Sequence, residues 1–192
     1  MNILSFLTYC FIVTFTPPGP TNIVILSTVH QSGTKKALRY TYGATIAFGL
    51  LLGLSAMLNT LLVTVIPKIL IFMQVIGTLY MLYLAYQIYQ SDASNRKVHD
   101  TGTFLSGFLM QFLNPKVLLF CMTVIPSFIL PYTQAPSALT IGVIVITIIG
   151  FLAFITWLLF GSIFRTFLQK HSKIVNVVMA LFLAYSAVMI WM

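Results

Sequence analysis

A chain of 192 residues that is 59% hydrophobic and only 6% charged cannot present a hydrated surface, since soluble domains carry about 25% charged residues. Its net charge of +8 comes from basic residues dispersed among short loops, with no basic face interleaved with aromatics, and this excludes a nucleic-acid surface. Residues 1–192 therefore read as one all-α membrane domain in contact with lipid, with no segment left for a soluble one.

The stretches 1–34, 40–67, 69–91 and 174–192 contain no Lys, Arg, Asp or Glu, and 101–164 contains only Lys116. Since each crossing needs roughly 20 mostly apolar residues, these stretches hold about six spans, near 3–28, 40–63, 69–90, 104–130, 137–162 and 174–192. The first lacks the basic amino end and the small-residue cleavage site of a secretory signal, so it is expected to be retained. Halfway along it stands Pro17-Pro18-Gly19-Pro20, followed by Thr21 and Asn22. A proline inside a helix deletes a hydrogen bond and clashes with the preceding turn, at a cost of about 3 kcal/mol or more, so this cluster breaks the helix. Lipid cannot hydrate the freed carbonyls, and the break must be packed in protein or line a wet cavity. Pro17 lies about 21 Å of helical rise from residue 3, near mid-membrane. The half-helix after Pro20 aims N–H groups and a positive dipole end at the break, which suits a carboxylate.

Lys35, Lys36 and Arg39 follow span one, Arg96 and Lys97 follow span three, and Arg165, Lys170 and Lys173 follow span five; the opposite side has only Lys68. This bias places the basic loops in the cytoplasm and both termini outside, as expected for a bacterial inner-membrane protein. His30, His99 and His171 fall in these loops and are expected to be solvated. In span three, Tyr80, Tyr83 and Tyr86 share one helical face, as in a packing or interfacial belt.

Span four carries Asn114-Pro115-Lys116, again at mid-depth. The Lys116 charge lies about 18 Å into the span, where it is costly and needs a partner: exposed carbonyls of the first break, or the carboxylate of a solute. Asn22 and Asn114 flank the two breaks and are the favoured amide contacts, whereas Gln74 and Gln111 could equally join helices together. "YLAYQIY" at 83–89 echoes "FLAYSAV" at 182–188, and the two proline motifs echo one another at nearly the same offset. Both echoes divide the chain into halves, about 1–95 and 96–192, of three spans each. An odd number of spans inverts the second half, the plan of many secondary transporters, with broken helices one and four meeting at the midplane.

The chain contains no glutamate, and its aspartates, Asp92 and Asp100, both fall in the loop after span three. A cationic solute brought to Lys116 would meet no protein anion, so a neutral amino acid is expected. Coupling is then expected to run through deprotonation of Lys116 or through a charged form of the solute. No metal spacing, phosphate-binding glycine loop or nucleophile–base pair is present; neither enzyme activity nor a cofactor is expected. Cys10 and Cys121 read as small buried apolar residues. The alternative, a membrane thiol-disulfide electron carrier, would place its cysteines closer to the prolines than Cys10 is to Pro17 or Cys121 to Pro126.

The stretches "PPGPTNIVILSTVHQSGTKKALRYTYGATIAFG" (17–49), "GTLYMLYLAYQIY" (77–89) and "GFLMQFLNPKVLLFCMTVIPSF" (107–128), with Trp157 before a basic loop, resemble the LysE/RhtB amino-acid exporters over nearly the whole chain. The resemblance implies a proton-motive-force-dependent exporter of an amino acid or a close derivative. The candidate substrate-binding residues are Pro17, Pro18, Gly19, Pro20, Thr21, Asn22, Asn114, Pro115 and Lys116. Where many members place Asn or Asp directly after PGP, this chain has Thr21 and then Asn22. The oligomeric state is left open, a homo-oligomer included.

Overall fold

The computed structural model describes residues 3–15, 19–90, 102–189 and 191, with the side chains of 59–70, 73 and 115 left aside. Pro17, Pro18 and the loop bearing Asp92, His99 and Asp100 lie outside them. Among the described residues every regular element is a helix: α1 Ile3–Phe15, α2 Pro20–Ser32, α3 Thr34–Met57, α4 Asn59–Gln90, α5 Phe104–Phe112, α6 Pro115–Phe128, α7 Pro136–Ile163, α8 Arg165–Lys170 and α9 Ser172–Met189. By length and composition α3, α7 and α9 can each cross a membrane. The pairs α1/α2 and α5/α6, bent by 49° and 64° at their breaks, raise the candidate spans to five.

These bends fall at the two proline motifs. Pro20 and Pro115 each open a half-helix, where a missing N–H costs nothing because first-turn N–H groups have no intrahelical acceptor. The boundary expected near residues 64–68 is displaced, however. The chain turns at Leu58, and α4 then runs for 32 residues through Pro67 and Lys68. Uncharged composition locates a crossing without locating its turn, and a membrane helix tolerates an internal proline where neighbours satisfy the freed carbonyl.

The helices approach closely where side chains are missing. Gly43 of α3 lies against the Phe104 carbonyl, and Gly107 of α5 lies against the Tyr40 carbonyl, so neither position has room for a Cβ. Gly77 brings α4 against the Leu113 carbonyl, at the break between α5 and α6. Such small-residue crossings replace the hydrophobic drive that helices lack in lipid. Outward-facing Ile141, Ile148, Leu152, Leu181 and Phe182 are exposed, as a lipid-facing surface requires. Tyr83 and Tyr86 are exposed as well, whereas Tyr80 is half-buried with its hydroxyl 3.3 Å from Ser106 Oγ.

Inside, one apolar cluster contains Ile23, Val24, Tyr40, Met81, Met110, Phe154 and Leu183. A second contains Phe6, Cys10, Phe48, Phe120, Cys121 and Ile146. His30 departs from the expectation of a solvated loop residue and is buried. Helix α2 continues to Ser32, and α8, where a loop was expected, packs onto its end, with Gln169 Nε2 donating to the His30 carbonyl at 3.4 Å. Gly33, at φ 88°, then turns the chain into α3, a conformation that disfavours any residue with a Cβ. His171 remains exposed.

Candidate functional site

The start of α2 sets the chemistry of the first break. Its N-cap is Gly19, in an extended conformation with no side-chain cap, and Pro20 occupies the first helical position. The Ile23 N–H reaches the Gly19 carbonyl at 3.1 Å; the N–H groups of Thr21 and Asn22 belong to the first turn and have no intrahelical acceptor. At the second break the Asn114 side chain caps α6, its Oδ1 accepting from the Lys116 N–H at 3.1 Å. The same amide donates to Thr21 Oγ1 at 3.2 Å, and Gln111 Nε2 donates to that hydroxyl at 3.0 Å. Thr21, Gln111 and Asn114 are all buried, so one hydroxyl ties the two breaks together across 90 and 93 residues of sequence.

Lys116 reaches back over Gly19. A Cβ placed on Gly19 would stand 3.5 Å from Lys116 Cδ and 3.8 Å from Nζ, so the ammonium lies beside the N-terminal end of α2. Two positive ends therefore share one place, and an anion there lowers the energy of both. Beside it opens a cavity. Gly19, Thr21, Asn22, Asn114 and Lys116, with Thr14, form its polar side; Val13, Phe48, Val117, Phe120 and Phe154, with Gly150, form the apolar side. Asn22 is buried and its Oδ1 has no hydrogen-bond partner among the described residues, as is true of Gln111 Oε1. An unpaired buried acceptor costs about 1–3 kcal/mol.

Most of the expected site is thus brought together. Gly19, Thr21, Asn22, Asn114 and Lys116 line one cavity, while Pro20 and Pro115 head the half-helices; Pro17 and Pro18 lie outside the described residues. Gln111 takes a definite place as a donor to Thr21, whereas Gln74, on α4, does not line the cavity. The aromatic wall escaped sequence reasoning, because Phe48, Phe120 and Phe154 stand in apolar runs with no polar neighbour to single them out. Both thiols are free and buried, and among the described residues no three His, Cys, Asp or Glu side chains converge.

The profile of the LysE type translocators matches residues 12–192. The chain belongs to this family. Relatives named cysteine/O-acetylserine efflux protein include one from Salmonella paratyphi A, 33% identical over 193 residues, covering 100% of this chain and 98% of the relative. Another, from Escherichia coli O1:K1, is 30% identical over 188 residues, covering 97% and 96% of the two chains. No solved structure matches the chain. Members of this family are transporters of the membrane, which agrees with the apolar, helix-only architecture.

Proposed function

We propose that the protein exports a neutral amino acid or a close derivative across the bacterial inner membrane, coupled to the proton motive force. The observation that carries this reading is Lys116 beside the uncapped start of α2, in a cavity whose lining among the described residues contains no acidic residue. The solute carboxylate sits between Lys116 Nζ and the first turn of α2, with Asn22 and Asn114 among the residues around it. The efflux named for the relatives supports the direction of transport and the amino-acid class.

The termini face outside and the basic loops face the cytoplasm, and the two halves are inverted repeats. The pattern of packing supports the repeat: α3 meets α6 as α7 meets α2, α2 meets α9 as α6 meets α4, and α3 with α7 and α4 with α9 pair across the halves. With no acidic residue in the site among the described residues, the coupling proton is carried by Lys116 or by the solute. Accumulation of a labelled amino-acid panel by inverted vesicles under an imposed proton gradient tests the proposal. Neutral amino acids should accumulate, and the gradient should be required; a preference for lysine or arginine would overturn it.

A further inference from the structure

We propose that Phe48, seated against Gly150, sets the length of solute side chain that the cavity admits. This rests on the reading of the cavity as the solute site. With the carboxylate held at Lys116 and the start of α2, the rest of the solute is directed at the wall formed by Phe48, Phe120 and Phe154, all of them buried. That wall offers apolar surface, so it sorts solutes by size and apolarity instead of by hydrogen bonding.

Two residues fix the depth of the wall. A Cβ on Gly150 would stand 2.8 Å from Phe48 Cδ1 and 3.5 Å from Cζ, so the ring edge occupies the space that any other residue at 150 would fill. On another side the ring stacks on Phe120, with centroids 5.9 Å apart and planes at 26°. Both Phe48 and Gly150 line the cavity. Because Gly150 itself lines the cavity beside the ring, a methyl at 150, or the ring it displaces, takes up space there. Truncating Phe48 has the opposite effect and deepens it.

The test is initial uptake by inverted vesicles of neutral amino acids graded from glycine to phenylalanine, compared as ratios within each variant so that the amount of folded protein cancels. Gly150→Ala should lower the ratio of long to short side chains by tenfold or more, given that one methylene in an apolar pocket shifts discrimination by about 10–200-fold. Phe48→Ala, and to a smaller degree Phe48→Leu, should raise it. A purely structural role lowers all solutes together and cannot move the ratio in opposite directions. Unchanged ratios in the Phe48 and Gly150 variants, or shifts of the same sign, would overturn the filter; loss of all export in Lys116→Met would then show that the site itself stands. Undiminished export by Lys116→Met, or no neutral solute exported by the native protein, would overturn the site and the filter with it.

Discussion

Replacing Lys116 by methionine keeps an unbranched stem of similar reach and removes the charge that stands beside Gly19. A buried hydrogen bond to a charged group contributes about 1.5–3 kcal/mol, and truncating one partner of a buried charge pair costs about 2–5 kcal/mol. The start of α2 remains, supplying about 0.3–1 kcal/mol toward the same carboxylate. The expected loss is therefore about 2–4 kcal/mol, or roughly 30- to 1,000-fold in apparent affinity at 1.4 kcal/mol per decade. Initial rates of neutral amino-acid uptake into inverted vesicles, measured over a concentration range, report this as a raised KM. Membrane insertion should be intact, because removing a buried charge eases passage into lipid. Lys116→Arg keeps the charge but gives up a readily removable proton, so it should bind the solute yet lose its dependence on the proton gradient. A methionine variant with the native KM would refute the placement of the carboxylate at Lys116.

The hydroxyl that joins the breaks has its own test. Thr21→Val leaves the Gln111 and Asn114 amides without their shared acceptor, at about 2–4 kcal/mol in sum, and should lower the thermal midpoint in detergent by on the order of 5–10 °C; Thr21→Ser should restore it. At the α3–α5 crossing, Gly107→Ala drives a methyl into the Tyr40 carbonyl and should reduce folded protein by an overpacking cost of about 1–3 kcal/mol. Gly53→Ala, where nothing stands within 4 Å of the added carbon, should be neutral in the same fluorescence-detected chromatography. For orientation, a carboxyl-terminal alkaline phosphatase fusion should be active and a fluorescent-protein fusion dark; the reverse pair would place the basic loops outside.

What the sequence reveals of this fold follows from how each feature is encoded. Proline leaves an unambiguous mark, so both breaks were legible at Pro20 and Pro115. A charge in lipid demands a partner, so Lys116 stood out as well. The turn at Leu58 and the continuation of α4 through Pro67 were not legible, because an uncharged run is equally apolar on both sides of a bend. The burial of His30 depends on α8 folding back over the end of α2, and hydropathy has no means of expressing a contact between segments so far apart. Gly150 is one small residue among several in span five. Its role appears only when the Phe48 ring of another helix is seen to occupy the place of its side chain.

The two breaks satisfy different parts of one another. Thr21 from the first accepts both amides of the second, and Asn114 closes the start of its own half-helix. Those bonds answer the hydrogen-bonding demand that lipid leaves unmet at an interrupted helix. Thr21, Gln111 and Asn114 are neutral, and the chain's two acidic residues, Asp92 and Asp100, lie outside the spans expected from sequence. At α2 the cap is a glycine without a side chain; a serine or aspartate there would offer an oxygen to the first-turn N–H groups and compete with a solute for them. Gly19 thus leaves the helix start uncapped where the Lys116 stem lies alongside it. These bonds tie the two breaks together beside the Lys116 stem; on the proposed function a solute carboxylate joins that place only while it is bound, and the bonds between the breaks keep the shape of the empty site.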